Sequence, residues 1–177
     1  MSRPRLVSVL TENHTLLDPR DLRGLVRMAQ EAEDAGFDMV MVSDHVLLGP
    51  SAGSEGRMAN PRDYAMPGNQ DPATAWPSNI VLLSAMASAT STIRLGAIAL
   101  IAPLRHPLVL AHDLAALDLM SEGRLVIQPT VSWHRDEYAA IEIPFEKRGK
   151  ILDEQLEIFA KVWAGSPVTH HGEFFNF

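Results

Sequence analysis

An acid and a histidine stand side by side at Asp44-His45, one residue beyond the apolar run 37–42 (FDMVMV). A histidine in such a place suits proton transfer, because imidazole is the side chain that titrates nearest neutral pH. The plainer reading of the same residue is a loop histidine held by backbone hydrogen bonds. Two hydroxyl donors, Thr130 and Ser132, end a second apolar run near Trp133. Seven histidines occur, but none forms a His-x-His at a strand end or a His-Glu-x-x-His, which disfavours a metal-dependent hydrolase. With no cysteine, thiolate chemistry, disulfides and Cys-based zinc sites are excluded. The remaining polar candidates read as structural. Arg105 and His106 precede a helix that His106 is placed to cap, Arg148 and Glu154 suit salt bridges, and His170-His171 is expected to be solvated on a turn. Trp76 and Trp133 offer walls for a pocket, with core packing as the alternative.

The elements that must position these residues follow from hydrophobic spacing. Residues 6–10 (LVSVL) are short, apolar and β-branched, as in a buried parallel strand. Asp18-Pro19 reads as a helix cap followed by proline at the first helical position. Leu22, Leu25, Val26, Ala29 and Ala32 then recur at three- and four-residue steps, and Gly36 supplies the stop. A second strand is expected over 37–42. The stretch 44–76, rich in Gly, Pro, Asn and Ser, is a loop of the length seen in functional lids, or else a surface excursion. A helix over 77–89, a strand over 93–101, a helix from Pro107 with Leu110, Leu114 and Leu117 on one face, a turn at 121–123 and a strand over 125–130 complete the middle of the chain. One helical turn is expected over 137–141. A long helix over 147–163 faces Leu152, Phe159 and Trp163 inward and is closed by Gly165, with Glu157 and Lys161 spaced for an ion pair. The tail 168–177 reads as a β-hairpin turning at His171-Gly172.

Four strand-to-helix units in succession imply a parallel sheet, either an open doubly wound one or part of a (β/α)8 barrel. The doubly wound nucleotide folds carry a glycine-rich loop after the first strand, whereas here that junction is TENHTLLDPRD, without a glycine. In a barrel, catalytic residues sit at the C-terminal strand ends. Those ends hold Asp44 and His45, then 98–104, then 130–133.

Three phrases carry a family resemblance: AEDAGFDMVMVSDHV (32–46), TSTIRLGAIALIAPLRHPLVLAHDLAALDLMSEGRL (90–125) and PFEKRGKILDEQLEIFAKVWAGSPVTHHGEFFNF (144–177). Together they resemble the bacterial luciferase-like family of flavin-dependent monooxygenases and F-420 (deazaflavin) dependent oxidoreductases. The resemblance implies the first half of a (β/α)8 TIM barrel: four parallel βα units plus a terminal β-hairpin, as one domain over 1–177. A complete barrel needs roughly 250 residues. It further implies reduced FMN or coenzyme F-420 as cofactor, with Asp44 and His45 beside the reactive ring and His45 the catalytic residue. A non-proline cis peptide is implied between Ile98 and Ala99, behind the ring, where the alternative is a plain core strand. Thr130, Val131 and Ser132 are implied as cofactor contacts. This sequence departs from the family after Gly-Arg-Leu, where a glycine-rich stretch is usual and IQPTVSW stands instead. The family's phosphate-binding groups come from later strands.

Composition agrees with a folded domain: 46% apolar and 21% charged residues are globular proportions. The net charge of −7, with no basic run, disfavours nucleic acid and anionic membrane as partners. Neither a signal-peptide core nor a stretch of about 18 apolar residues appears, so a cytoplasmic protein is expected. The expected function is oxidation or reduction of a small organic substrate with FMN or F-420. The shortfall from a full barrel is expected to mean that the chain is a fragment, or that a second copy or a completing chain closes the half barrel. Two other readings fit the residues: an inactive half-barrel remnant acting as flavin-binding or scaffold protein, and an unrelated α/β binding domain.

Overall fold

The computed structural model describes residues 3–11, 17, 18, 20–52 and 75–177. Pro19 and most of the 44–76 stretch lie outside the described residues. Strands β1 (Val7–Val9), β2 (Met39–Val42), β3 (Arg94–Ile101) and β4 (Leu125–Thr130) form one parallel sheet in the order 1-2-3-4. Helices α1 (Leu22–Asp34), α2 (Asn79–Ala89), α3 (Pro107–Met120), the short α4 (Arg135–Ala140) and α5 (Arg148–Ala164) alternate with them. A sheet in which every strand pairs with its sequence neighbour is barrel order. A doubly wound sheet reverses direction partway.

Registers are regular, Val7 opposite Met39, Val40 opposite Leu95 and Leu95 opposite Leu125, until a shift between Ile98 and Leu100. Ala99 is the extra residue there, and the Ile98–Ala99 peptide is cis. Pro129, which has no N–H to donate, sits beside this bulge opposite Leu100, a position that tolerates proline. Alternation along the strands sends Val40, Val42, Leu95 and Ala97 toward the helices, where all are fully buried. They pack with Leu25, Ala29, Leu82, Met86, Leu110, Leu114 and Phe159 in one core. The opposite face carries Val7 and Val9, 42% and 36% exposed. The buried first strand expected over 6–10 is thus shorter and half exposed, because among the described residues no layer covers that face. Among the same residues, no helix is long and apolar enough to cross a membrane.

Several local expectations are corrected. The cap of α1 is Asp21, whose Oδ1 accepts from the Gly24 N–H at 2.8 Å, while Asp18 caps only the preceding turn through the Arg20 N–H. Gly36 does end the helix, at φ +81°, where a side chain would be strained. Trp163 is not buried: 46% exposed, it stacks on Phe159 and donates from Nε1 to the Ala111 carbonyl. Its ring lies across the seam between α3 and α5. Lys161 turns to His170 Nδ1 at 3.1 Å instead of to Glu157. His170 is buried rather than solvated, its Nε2 against Glu154 at 3.1 Å. The expected hairpin is present but short: His170 and Phe177 exchange both backbone bonds, and His171 bridges Asn176. Its turn falls after Gly172, because Glu154 accepts from the Phe174 and Phe175 N–H groups and draws those residues onto α5.

Glu33 joins α1 to the start of β3. Burial works against its charge, but the N–H groups of Ile93, Thr92 and Ser91 and the Thr92 hydroxyl outweigh that and hold its pKa at about 2. A carboxyl depressed in the folded state stabilises fully above its unfolded value near 4.5. That contribution is lost as pH falls toward about 2. After allowance for solvent screening it is worth about 1 kcal/mol. Urea midpoints between pH 5 and about 2.5 should therefore fall less steeply for Glu33→Gln than for the wild type. Equal slopes would exclude this contribution.

Candidate active site

The site lies where the parallel strands end, at the C-terminal edge of the sheet. Backbone and side chain fasten these ends to one another: the Thr11 Oγ1 after β1 accepts from the Ser43 N–H after β2 at 2.8 Å. The Asp44 carboxylate, with no exposed surface, crosses to the end of β3. It accepts from Arg105 Nη1 and Nη2 at 2.6 and 2.8 Å and from the Ile101 N–H at 2.9 Å. Two-pronged pairing of this kind fixes orientation as well as charge. Gln155 of α5 then donates to the Ala102 and Arg105 carbonyls and holds the turn that carries Arg105.

A third fastening links β4 to the loop after β2 through α4. Glu137, 1% exposed, accepts from the Val46 N–H at 2.8 Å and lies 3.1 Å from His45 Nδ1 through the same oxygen. Its other oxygen takes the Ser132 hydroxyl at 3.2 Å. The Gly49 N–H donates to Nε2 of the buried His134 at 2.7 Å. Asp136 accepts from both the N–H and the hydroxyl of Ser51, and those bonds hold its carboxyl below the usual range. The loop approaches so closely that a Cβ on Gly49 would lie 2.1 Å from the Asp136 carboxylate. Tyr138 donates to the Val131 carbonyl, and burial pushes its phenol well up.

An open cavity of about 510 Å³ results, lined by Met41, Ser43, Asp44, His45, Ile98, Ala99, Ile101, Gln128, Thr130, Val131, Ser132 and Trp133. All seven sequence-derived candidates, Asp44, His45, Ile98, Ala99, Thr130, Val131 and Ser132, share this one wall. Their states differ. The Asp44 carboxylate is engaged by Arg105, the Val131 carbonyl by Tyr138, and the Ser132 hydroxyl by Glu137 at a backbone φ of +59°. His45 packs in T-shaped contact with two indoles, Trp76 at 4.7 Å and Trp133 at 5.9 Å between ring centres. Sequence reasoning missed Glu137, read only as part of a helical turn, and the partner of Arg105. A usable signal existed for Glu137: an acid in the first turn after a barrel strand sits at the rim by topology.

The sheet order and this rim define an α/β protein of the (β/α)8 type with its candidate site at the strand ends. The chain belongs to the luciferase-like monooxygenase family, whose sequence profile matches residues 5–177. It is 29% identical over 162 residues to an F420-dependent glucose-6-phosphate dehydrogenase of Amycolatopsis mediterranei, covering 89% of this chain and 42% of that protein. Its fold superposes on the monooxygenase RslO1 of Streptomyces bottropensis with TM-score 0.76 and 25% identity, over 98% of this chain and 47% of that one. It also superposes on the oxygenating constituent of 3,6-diketocamphane monooxygenase of Pseudomonas putida, in complex with FMN, with TM-score 0.74 and 19% identity, over 99% and 43%. The chain spans about half the length of the curated relatives it matches.

Proposed function

We propose that the chain forms the ring-binding part of a cytoplasmic oxidoreductase site that uses reduced FMN or coenzyme F-420 on a small organic substrate. The observation that carries this reading is the convergence of the seven candidate residues on one cavity at the strand ends. The lining suits a planar tricyclic ring: Met41, Ile98, Ala99 and Ile101 offer an apolar plate, and Gln128 and Thr130 a polar margin. The cofactor would supply the two-electron chemistry; the protein positions and polarises it.

Each residue then has a distinct part. Ala99, on the bulge, sets a small side chain against the ring. Thr130 donates to its polar edge. Asp44 acts through Arg105 and keeps the ends of β2 and β3 together. Ser132 acts through Glu137. His45 takes or gives the proton that accompanies electron transfer, with Trp76 and Trp133 shielding it from water. Residues 1–177 act as one luciferase-like unit, and the half-exposed valines of β1 suit a sheet face that further strands cover, as a second copy or a completing chain would supply.

Titration of the chain with FMN and with F-420, followed by fluorescence, with sedimentation run alongside, tests the reading. Saturable binding of one of them, weakened at least about tenfold by Ala99→Trp, which would fill the plate with an indole, is the expected result. Binding of neither would overturn it and leave the scaffold reading. A strictly monomeric chain that unfolds cooperatively would overturn the completing partner.

A further inference from the structure

Three polar groups converge on one carboxylate that has no exposed surface. At Glu137, one oxygen receives the Val46 N–H at 2.8 Å and lies 3.1 Å from His45 Nδ1. The other receives the Ser132 hydroxyl at 3.2 Å, and Ser132 in turn accepts from the His134 N–H at 3.4 Å. An amide N–H can only donate, so the shared oxygen is an acceptor. The imidazole nitrogen beside it must therefore carry the hydrogen.

We infer that Glu137 is a positioning residue that locks His45 as the Nδ1–H tautomer, so that Nε2 bears the lone pair on the nitrogen left to the cavity. A histidine whose role is to accept a proton needs one defined nitrogen free, and a carboxylate on the other nitrogen both chooses that nitrogen and orients the ring. In water, neutral imidazole side chains favour the opposite tautomer, so the choice is imposed by the fold. Ser132 serves the same end from the far side of the carboxylate. Trp76 and Trp133 pack steeply against the imidazole, at 70° and 73° to its plane, and so help to hold the ring of His45. This assignment rests on the proposed role of His45, but it makes a statement about the chain without any cofactor.

Nitrogen-15 NMR of the full chain, labelled at histidine and with His45 identified through His45→Asn, reads the tautomer directly at a pH where the ring is neutral. The expected result is a protonated Nδ1 and a bare Nε2 in the wild type. In Glu137→Gln the signals should move toward the solution mixture, and Glu137→Asp should restore the wild-type pattern in part. A wild-type His45 protonated on Nε2 would overturn the inference, as would a tautomer unchanged in Glu137→Gln. If that variant does not fold, the wild-type spectrum decides alone. The cofactor titration is a separate readout: a locked tautomer with no FMN or F-420 binding would refute the proposed function and leave the role of Glu137 standing.

Discussion

Replacing Asp44 by alanine is expected to destabilise the chain by about 3–5 kcal/mol, the range for removing one partner of a buried ion pair. Its carboxylate is fully buried, and Arg105 is 21% exposed and bound to it through two nitrogens. Without Asp44 the guanidinium keeps, among the described residues, only the Ile101 carbonyl at 3.2 Å, and the Ile101 N–H loses its acceptor. Asp44→Asn keeps the shape but not the charge and should fall between wild type and alanine. The pair acts as a unit, so the double variant Asp44→Ala with Arg105→Ala should cost less than the two single losses combined, by about 1–3 kcal/mol. Urea unfolding of the four proteins measures this. Strict additivity would show that the two side chains do not stabilise one another. The neighbouring His45 should lose its ordered position along with Asp44, so cofactor binding in Asp44→Ala is expected to weaken too.

The second large effect lies at the opposite end of the sheet. Arg124, which enters β4, donates to the Ser121, Ile93, Ala87 and Thr90 carbonyls and to the Thr90 hydroxyl, at 2.7–3.0 Å. Two of those carbonyls, Ala87 and Thr90, close the C-terminal end of α2, where helical carbonyls have no partner of their own. One guanidinium thereby ties α2, β3 and the turn after α3 together. Arg124→Ala is expected to cost about 3–4 kcal/mol, since each bond to a charged donor is worth more than a neutral one and the carbonyls are left dry. Arg124→Lys should recover little, because an ammonium cannot reach carbonyls spread across a planar fork. A loss below about 1 kcal/mol in urea unfolding would show that water replaces these bonds. Since Arg124 and Asp44 share no partners, their effects should add.

Much of the site was legible because its residues follow strand ends, and strand ends are read from local pattern. Leu125–Thr130 was expected with the observed limits, and Asp44, His45, Thr130, Val131 and Ser132 fall just beyond or at the ends of apolar runs. The resemblance located the Ile98–Ala99 bond, which is cis. What failed depended on side chains choosing among several local options. Asp18 and Asp21 both suit a cap, and the geometry of the preceding turn gives that place to Asp21. His170 sits in a polar stretch, as solvated residues do, yet Glu154 gathers it together with two backbone N–H groups.

The sequence by itself determined the alternation of strand and helix, the parallel sheet it requires, and the residues standing at the C-terminal edge of its strands. Periodicity of two or near 3.6 residues is a local property, and burial of apolar faces then leaves few arrangements. Only the tertiary structure decided which charged groups meet there: Arg105 reaches Asp44 across 61 residues, and Glu137 reaches His45 across 92. Such pairs form because folding removes water from groups that the chain brings together at the strand ends, and no spacing rule along the sequence records that encounter.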